Sequence, residues 1–351
     1  MLTTLMILAL AASAQDAAPP YRAEPLTVTN GEVTLAGTLT MPASSAPVPA
    51  VVLITGSGPQ NRDEDVFGFK VFGTLADHLT RQGIAVYRYD DRGVGESTGN
   101  LAQSTTEDFA GDALAAVKAL KAKPGIDPSR VGLLGHSEGA AAAAIAAARS
   151  RDVAFIVMLA GTATSGGLVL GQQARDMAAA QGASPEQIDR IVAAHRAALD
   201  AVLRDADPEE RSRLIRALVE AQVDAAPAAQ RAMIPDLEAF VEQTTKRAST
   251  EMASPWMKFL VAFDPADALR KVTAPVYAAF GALDKQVPPS MHEKPMREAL
   301  NQNAKATVKV YEGANHLFQK AKAGGVAEYA TLEKAFVPEL PADLARWILA
   351  R

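Results

Sequence analysis

The chain has 351 residues, of which 48% are hydrophobic and 21% are charged, and its formal net charge is −5. Its length and apolar content allow a large buried core, which excludes intrinsic disorder, and its mild acidity argues against a nucleic-acid-binding surface. The absence of cysteine excludes disulfides, thiolate metal sites and a cysteine nucleophile, so any catalysis must use oxygen and imidazole groups.

The first 14 residues, MLTTLMILALAASA, have the pattern of a secretory signal peptide. They contain no charged residue, include an apolar run, and end in the small-x-small pattern Ala12-Ser13-Ala14. The segment is too short for a stop-transfer helix. We therefore expect cleavage after Ala14, a periplasmic or secreted protein, and no stable membrane insertion after processing. The basic residue usual at the start of a signal is missing, so the alternative is a frayed N-terminal segment or a membrane-tethered tail.

The chain after this leader opens with two β-rich stretches, 26–30 and 33–41, on either side of Asn30-Gly31. That dipeptide is typical of a tight hairpin turn, so the sequence predicts an antiparallel hairpin. Apolar runs then alternate with helical stretches, which favours a parallel sheet built from βαβ units. The predicted strands of this part are 48–55, 84–89, 130–134 and 153–160, and its predicted helices are 69–82, 106–122 and 138–148.

The alternation stops between residues 165 and 262, where only helix signals occur. Ser184-Pro185 and Asp207-Pro208 each place an N-cap residue before an N1 proline. Strands and helices resume afterwards at 274–280, 289–301, 307–311 and 342–349. We therefore predict an α/β core formed by residues 15–164 and 263–351, with a mostly parallel sheet flanked by helices, and an all-helical cap inserted at 165–262.

The sequence Gly135-His136-Ser137-Glu138-Gly139 lies between a predicted strand and a predicted helix. This is the G-x-S-x-G nucleophile elbow in its expected context, a turn so tight that both ends require glycine. It predicts Ser137 as the nucleophile and the Glu138 backbone N–H as an oxyanion-hole donor. The alternative is a glycine-flanked turn whose serine has no chemical role.

A serine nucleophile needs a base, and the chain contains five histidines. In this type of fold the triad order along the chain is serine, acid, histidine, which leaves His292 and His316. His316 follows the predicted strand 307–311 in a loop, where strand carboxyl ends carry function. His292 falls within a predicted helix, where we expect a surface residue. His316 is therefore the predicted base.

The acid that orients the base should follow a strand upstream of the histidine. Asp284 comes directly after the predicted strand 274–280 and is the leading candidate. Its competitors are Asp264, which we expect to cap a helix at the exit from the cap, and Glu312, which is close to His316 in sequence.

The second oxyanion donor should come from the loop after the first core strand, Thr55-Gly56-Ser57-Gly58. We predict the Ser57 N–H, with that of Gly58 as the next candidate. The charged residues 61–64 that follow either position substrate or form a salt-bridged loop. Asp90 and Arg92, after the second core strand, are expected to be structural.

Taken together, residues 56–64, the DRGxGxS sequence at 91–97 and the elbow at 135–139 resemble the α/β-hydrolase superfamily. More narrowly they resemble bacterial carboxylesterases with a helical cap, which are often described as serine aminopeptidase-like or acyl-CoA thioesterase-like. The resemblance implies short-chain carboxylic esters as substrates and neither a metal nor an organic cofactor. It also implies a triad of Ser137, Asp284 and His316.

Two other functions remain open at this stage. A peptidase or amidase of the same fold, acting on short peptides or amino-acid amides, would need an acidic group to capture the substrate amine. A catalytically inactive hydrolase fold that serves as a binding protein is disfavoured by the intact order of serine, aspartate and histidine. We find no basic cluster suited to the nucleotide of a coenzyme A thioester, and the oligomeric state is not set by the sequence.

Overall fold

The computed structural model describes residues 19–351, so the expected signal peptide 1–14 and its cleavage after Ala14 lie outside the described residues. Within that range, no helix combines the length and the hydropathy that crossing a membrane requires.

The chain begins with the predicted hairpin. Strand β1 (Tyr21–Asn30) pairs antiparallel with β2 (Val33–Pro42). Gly31 in the turn has φ 59°, a conformation that glycine adopts at little steric cost. The turn signal in the sequence is therefore confirmed.

The strands after the hairpin are β3 (Val48–Ile54), β4 (Asp65–Val66), β5 (Phe69–Lys70), β6 (Ala85–Tyr89), β7 (Ile126–His136), β8 (Ile156–Leu159), β9 (Val276–Gly281) and β10 (Ala306–Tyr311). Within residues 19–351 the main sheet has eight strands in the order β1-β2-β6-β3-β7-β8-β9-β10. The hairpin joins β6 in antiparallel fashion, and all pairs from β6 onwards are parallel. A separate pair, β4 and β5, precedes the first helix. The mostly parallel sheet is thus confirmed.

The α-helices of residues 19–351 differ in their position relative to β8, and three of them precede it. Those that precede β8 are α1 (Val71–Arg81), α2 (Thr106–Lys121) and α3 (Glu138–Arg149). Those after it are α4 (Gly166–Ala180), α5 (Pro185–Leu203), α6 (Pro208–Ala225), α7 (Ala228–Arg231), α8 (Leu237–Met252), α9 (Pro255–Ala262), α10 (Pro265–Leu269), α11 (Pro289–Ala299) and α12 (Glu339–Leu349). Helices α4 to α10 lie between β8 and β9, α11 lies between β9 and β10, and α12 follows β10.

Two apolar clusters lie on opposite faces of the sheet, because successive side chains of a strand point to opposite sides. In β3, Val52 and Ile54 belong to the cluster under α2 and α3, whereas Val51 and Leu53 belong to the cluster under α1 and α12. A strand buried on both faces explains why β3 reads as one continuous apolar run. Because β3, β7, β8 and β9 pair in parallel, the carboxyl ends of β3, β7 and β9 lie at the same edge of the sheet.

Helices α4 to α9 form a helical segment, residues 166–262, with an apolar cluster of its own. The sequence signals for helix starts are confirmed at two of them. The Ser184 hydroxyl accepts a hydrogen bond from the Gln187 N–H, and the Gln187 side chain accepts one from the Ser184 N–H in return. Asp207 Oδ1 accepts hydrogen bonds from the first-turn N–H groups of α6. Each cap fixes where its helix begins.

Candidate active site

Ser137 lies in the turn from β7 to α3 and has φ 54° and ψ −115°, an uncommon conformation for a residue with a side chain. The turn is too tight for side chains on either flank. A Cβ atom at Gly135 would lie 2.0 Å from the carbonyl oxygen of Gly139, and one at Gly139 would lie 2.1 Å from that of Ile54. Glycine is therefore required at both positions, and the geometry is that of a nucleophile elbow.

Asp284 and His316 form a buried hydrogen-bonded pair. His316 Nδ1 lies 2.8 Å from Asp284 Oδ2, while Asp284 Oδ1 accepts hydrogen bonds from the N–H groups of Gln286 (2.7 Å) and Val287 (2.9 Å). Burial acts to raise the pKa of the Asp284 carboxyl, but His316 and the two N–H groups outweigh it and hold that pKa below its ordinary value. The carboxylate can therefore orient the imidazole.

The two competing acids lie elsewhere. Asp264 Oδ1 accepts a hydrogen bond from the Ala266 N–H and so caps α10, the role expected for it. Glu312 is exposed to solvent. Only Asp284, of these three acids, is hydrogen-bonded to His316.

Ser137 and His316 line one cavity of about 360 Å³. The Ser137 hydroxyl makes no hydrogen bond within residues 19–351. Ser137 and His316 therefore share a cavity but are not directly hydrogen-bonded to each other. Contacts between a nucleophile and its base are often long without substrate and tighten in the complex. In the described part of the chain, no three histidine, aspartate or glutamate side chains are grouped so that they could hold a metal ion.

Two backbone N–H groups of residues that line the cavity have no acceptor in the described part of the chain. Neither the Ser57 N–H nor the Glu138 N–H is hydrogen-bonded within residues 19–351, and both residues line the cavity. Glu138 is the first residue of α3, where a helix leaves its N–H groups unpaired. Gly58, the second choice from sequence, is not part of the lining. The geometry thus favours Ser57 over Gly58 as a donor to an oxyanion.

The Glu138 side chain connects the elbow to two helices. Its Oε1 atom accepts hydrogen bonds from Thr106 Oγ1 (2.7 Å) on α2 and from Trp256 Nε1 (2.8 Å) on α9. The elbow motif predicts a role for the Glu138 backbone alone. It could not indicate these side-chain contacts, because both partners are distant in sequence. Through this carboxylate the helical segment is held against the nucleophile turn.

Two residues of the charged loop 61–64 form ion pairs with neighbouring strands or loops. Arg62 pairs with Asp90, at 2.6 Å between Nη2 and Oδ2, and Asp63 pairs with Arg88, at 2.8 Å between Oδ1 and Nε. Glu64 differs from these two, because it is buried and lines the cavity. The salt-bridged interpretation therefore holds for Arg62 and Asp63.

His292 is not the surface residue that the sequence predicted. It is fully buried, and its Nδ1 lies 3.4 Å from both the Ala163 nitrogen and Thr164 Oγ1. The position falls on the inner face of α11, one turn before the fully buried Met296. Burial lowers the pKa of His292 to about 4, so its imidazole is neutral. His292 is absent from the lining of the cavity.

Three charged residues, Asp90, Asp91 and Arg92, follow β6, and of these only Asp91 is hydrogen-bonded to the loop 55–60, which carries Ser57. Asp90 pairs with Arg62 as described, and Arg92 pairs with the buried Asp112 at 2.6 Å between Nε and Oδ2, so both are structural as expected. Asp91 accepts hydrogen bonds from Thr55 Oγ1 (2.6 Å) and from the Gln60 N–H (2.9 Å). Asp91 thereby anchors Thr55 and Gln60, which lie on either side of Ser57 in the loop.

Asp91 provides a prediction about pH. Burial raises its pKa to about 7, from an ordinary value near 4, so the folded protein binds a proton that the unfolded chain releases between about pH 4 and 7. The free energy of unfolding should fall as the pH rises through that window, by less than the roughly 1.4 kcal/mol per pH unit that one full proton gives. Urea unfolding between pH 4.5 and 7.5 should show a smaller fall for Asp91→Asn. An identical slope in both proteins would contradict this assignment.

Comparison with known proteins supports the fold. The sequence model of the family described as serine aminopeptidase, S33, matches residues 69–320. Esterase EstD of Thermotoga maritima is 28% identical over 316 residues, which cover 90% of this chain and 65% of that protein, so the chain spans less than two thirds of that relative. The structure is similar to that of an esterase from Pyrococcus furiosus, with a TM-score of 0.55 and 13% identity over 93% of this chain and 90% of that one. It is also similar to that of a proline iminopeptidase from Mycobacterium smegmatis, with a TM-score of 0.51 and 19% identity over 93% of this chain and 97% of that one.

Proposed function

Because the chain belongs to the S33 serine aminopeptidase family of α/β-hydrolases, we propose that it is a serine carboxylesterase that hydrolyses short-chain carboxylic esters. The observation that carries the proposal is the meeting of Ser137, in its strained elbow, and the His316–Asp284 pair at a single cavity. These are the groups that acyl transfer to a serine requires. The esterase named among the relatives supports the choice of ester as the bond.

The proposed reaction has two steps. Ser137 Oγ attacks the ester carbonyl carbon while His316 Nε2 accepts its proton, and Asp284 stabilises the resulting imidazolium. The N–H groups of Ser57 and Glu138 stabilise the oxyanion, after which the C–O bond to the alcohol breaks and the alcohol leaves with the proton from His316. Water then attacks the acyl-enzyme by the same route and releases the carboxylic acid.

The size and the lining of the cavity support the proposed substrate class. Its volume of about 360 Å³ is near the lower end of small-molecule sites, which favours short acyl chains. We propose that the helical segment 166–262 is the substrate-selecting cap, because Val169, Leu170, Trp256 and Leu260 line the cavity. The lining also includes Glu64 and Glu138 and neither lysine nor arginine, and its His136 ring is already paired with Glu64, which disfavours substrates with a free carboxylate.

A peptidase or amidase is the second candidate. Glu138 places a carboxylate in the lining beside the nucleophile, which is the kind of group that an amine-bearing substrate needs. However, its Oε1 atom is already hydrogen-bonded to Thr106 and Trp256, and its Oε2 atom, although it has no partner within residues 19–351, is buried where a substrate amine does not reach it. The ester is therefore the preferred substrate class.

A panel of chromogenic substrates distinguishes the two candidates. We expect the purified protein to hydrolyse p-nitrophenyl acetate and butyrate faster than p-nitrophenyl octanoate, because the cavity is small. We expect little turnover of alanine p-nitroanilide. A higher kcat/KM for the anilide than for the acetate and butyrate esters would favour the peptidase.

We also propose that residues 1–14 direct export to the periplasm or the medium. The support is the apolar leader and its Ala12-Ser13-Ala14 ending in the sequence.

A further inference from the structure

A buried pair, Glu64 and His136, lies behind the proposed catalytic groups. Both residues are almost fully buried, and Glu64 Oε1 lies 2.8 Å from His136 Nδ1. The same Glu64 oxygen accepts a hydrogen bond from the Gly56 N–H at 2.8 Å, and the other ring nitrogen, His136 Nε2, lies 3.0 Å from the carbonyl oxygen of His316. The pair thus contacts the backbone of the Ser57 loop on one side and that of the base on the other.

The hydrogen-bond partners define the protonation state of His136. Both ring nitrogens face acceptors, a carboxylate oxygen and a carbonyl oxygen, and only an imidazolium can donate to two acceptors at once. Burial acts to lower the pKa of His136, but the Glu64 carboxylate and the His316 carbonyl outweigh it, so that pKa is raised above its ordinary value. His136 therefore has two N–H donors, one directed at Glu64 and the other at the carbonyl oxygen of His316.

We propose that Glu64 and His136 are a positioning pair that fixes the distance between the oxyanion-hole loop and the base His316. This inference rests on the proposed function of Ser137 and His316, but neither member of the pair reacts with substrate. Glu64 adopts φ 46°, an uncommon conformation for a non-glycine residue, which turns its carboxylate inward while Arg62 and Asp63 remain paired outside.

The position of the pair in the sequence explains how it connects the oxyanion-hole loop with the loop that carries His316. His136 immediately precedes Ser137, and Glu64 follows the Gly56-Ser57 loop by a few residues. One chain of hydrogen bonds, Gly56–Glu64–His136–His316, therefore joins the three loops that carry the nucleophile, an oxyanion donor and the base. A displacement of about 1 Å at such groups can cost about 10²-fold in rate.

Glu64→Gln tests the coupling with minimal change of shape. The glutamine oxygen can still accept hydrogen bonds from the Gly56 N–H and from His136 Nδ1. Without the carboxylate, His136 is expected to be neutral with its proton on Nδ1. Its unprotonated Nε2 would then face the His316 carbonyl, acceptor against acceptor. The variant therefore breaks the link to His316 and keeps the link to Gly56.

The matched control is Asp112→Asn. Asp112 is also a buried carboxylate in an ion pair, with Arg92, but it does not line the catalytic cavity. Removal of one partner from a buried pair destabilises a protein whether or not the pair has a catalytic role. A general loss of stability should therefore appear in both variants, and a specific loss of rate only in Glu64→Gln.

The measurement is kcat and KM for p-nitrophenyl butyrate, per active site titrated with a fluorophosphonate. Glu64→Gln should lower kcat about 10- to 100-fold with KM within about threefold of wild type, and Asp112→Asn should leave kcat per site unchanged. If Glu64→Gln does not fold, Glu64→Gln/His136→Ala, which removes both charges of the pair, should show the same loss. Wild-type kcat per site in a folded Glu64 variant, or an equal loss in Asp112→Asn, would overturn the positioning role. Activity that survives in Ser137→Ala would instead reject the proposed function.

Discussion

Ser137→Ala should abolish the hydrolysis of p-nitrophenyl butyrate while leaving the protein folded. The alcohol oxygen is the only atom removed, so no acyl-enzyme can form, and the oxyanion donors alone cannot replace covalent catalysis. We expect a fall in kcat of at least about 10⁴-fold. The measurement is the initial rate of p-nitrophenol release by the purified variant, with its circular dichroism spectrum and melting temperature compared with those of wild type.

A matched control for this variant is Ser165→Ala. Ser165 is the N-cap of α4 but makes no side-chain capping hydrogen bond, and it is not part of the cavity lining. Its replacement should leave kcat within about twofold of wild type, since surface substitutions away from special features have small effects. If Ser137→Ala retains turnover comparable to that of Ser165→Ala, the serine is not the nucleophile.

Asp284→Asn should lower kcat about 10³- to 10⁴-fold. The asparagine oxygen is expected to face the N–H groups of Gln286 and Val287, which need an acceptor, so its NH₂ group would face His316 Nδ1. The imidazole would then carry its proton on Nε2, the wrong tautomer for accepting the proton of Ser137. The measurement is kcat for the butyrate ester across pH 5–9, because no pH restores the correct tautomer.

Asp264→Asn is the control for that prediction. Asparagine caps helices as well as aspartate does, so the start of α10 should be preserved and kcat should stay near that of wild type. Equal losses in the two variants would show that a general loss of structure, rather than the orientation of His316, explains the effect.

Much of the fold could be predicted from the sequence because the signals are local. The turn at Asn30-Gly31, the continuous apolar run of β3 and the caps at Ser184 and Asp207 each depend on a few neighbouring residues. The elbow belongs to the same class at Gly135, where a side chain would meet Gly139 of the same turn, whereas the demand at Gly139 comes from Ile54 of the distant strand β3.

Other features could not be predicted because they depend on contacts between distant parts of the chain. The motif places His136 beside Ser137, but it does not indicate that Glu64, 72 residues earlier, would pair with it. Likewise, Trp256 meets Glu138 only because the helical segment folds back over the elbow. The error at His292 has the same origin, since a helical pattern in sequence does not show which face of α11 packs inward.

The central claim is that Ser137 forms a covalent acyl-enzyme within this site. Reaction of the purified protein with a fluorophosphonate, followed by peptide mass spectrometry, tests it most directly. We predict one adduct per chain, on the peptide that contains Ser137, with ester hydrolysis lost in proportion to labelling and no adduct in Ser137→Ala. A fully active protein that is not labelled, or an adduct on another residue whose formation removes activity, would contradict it.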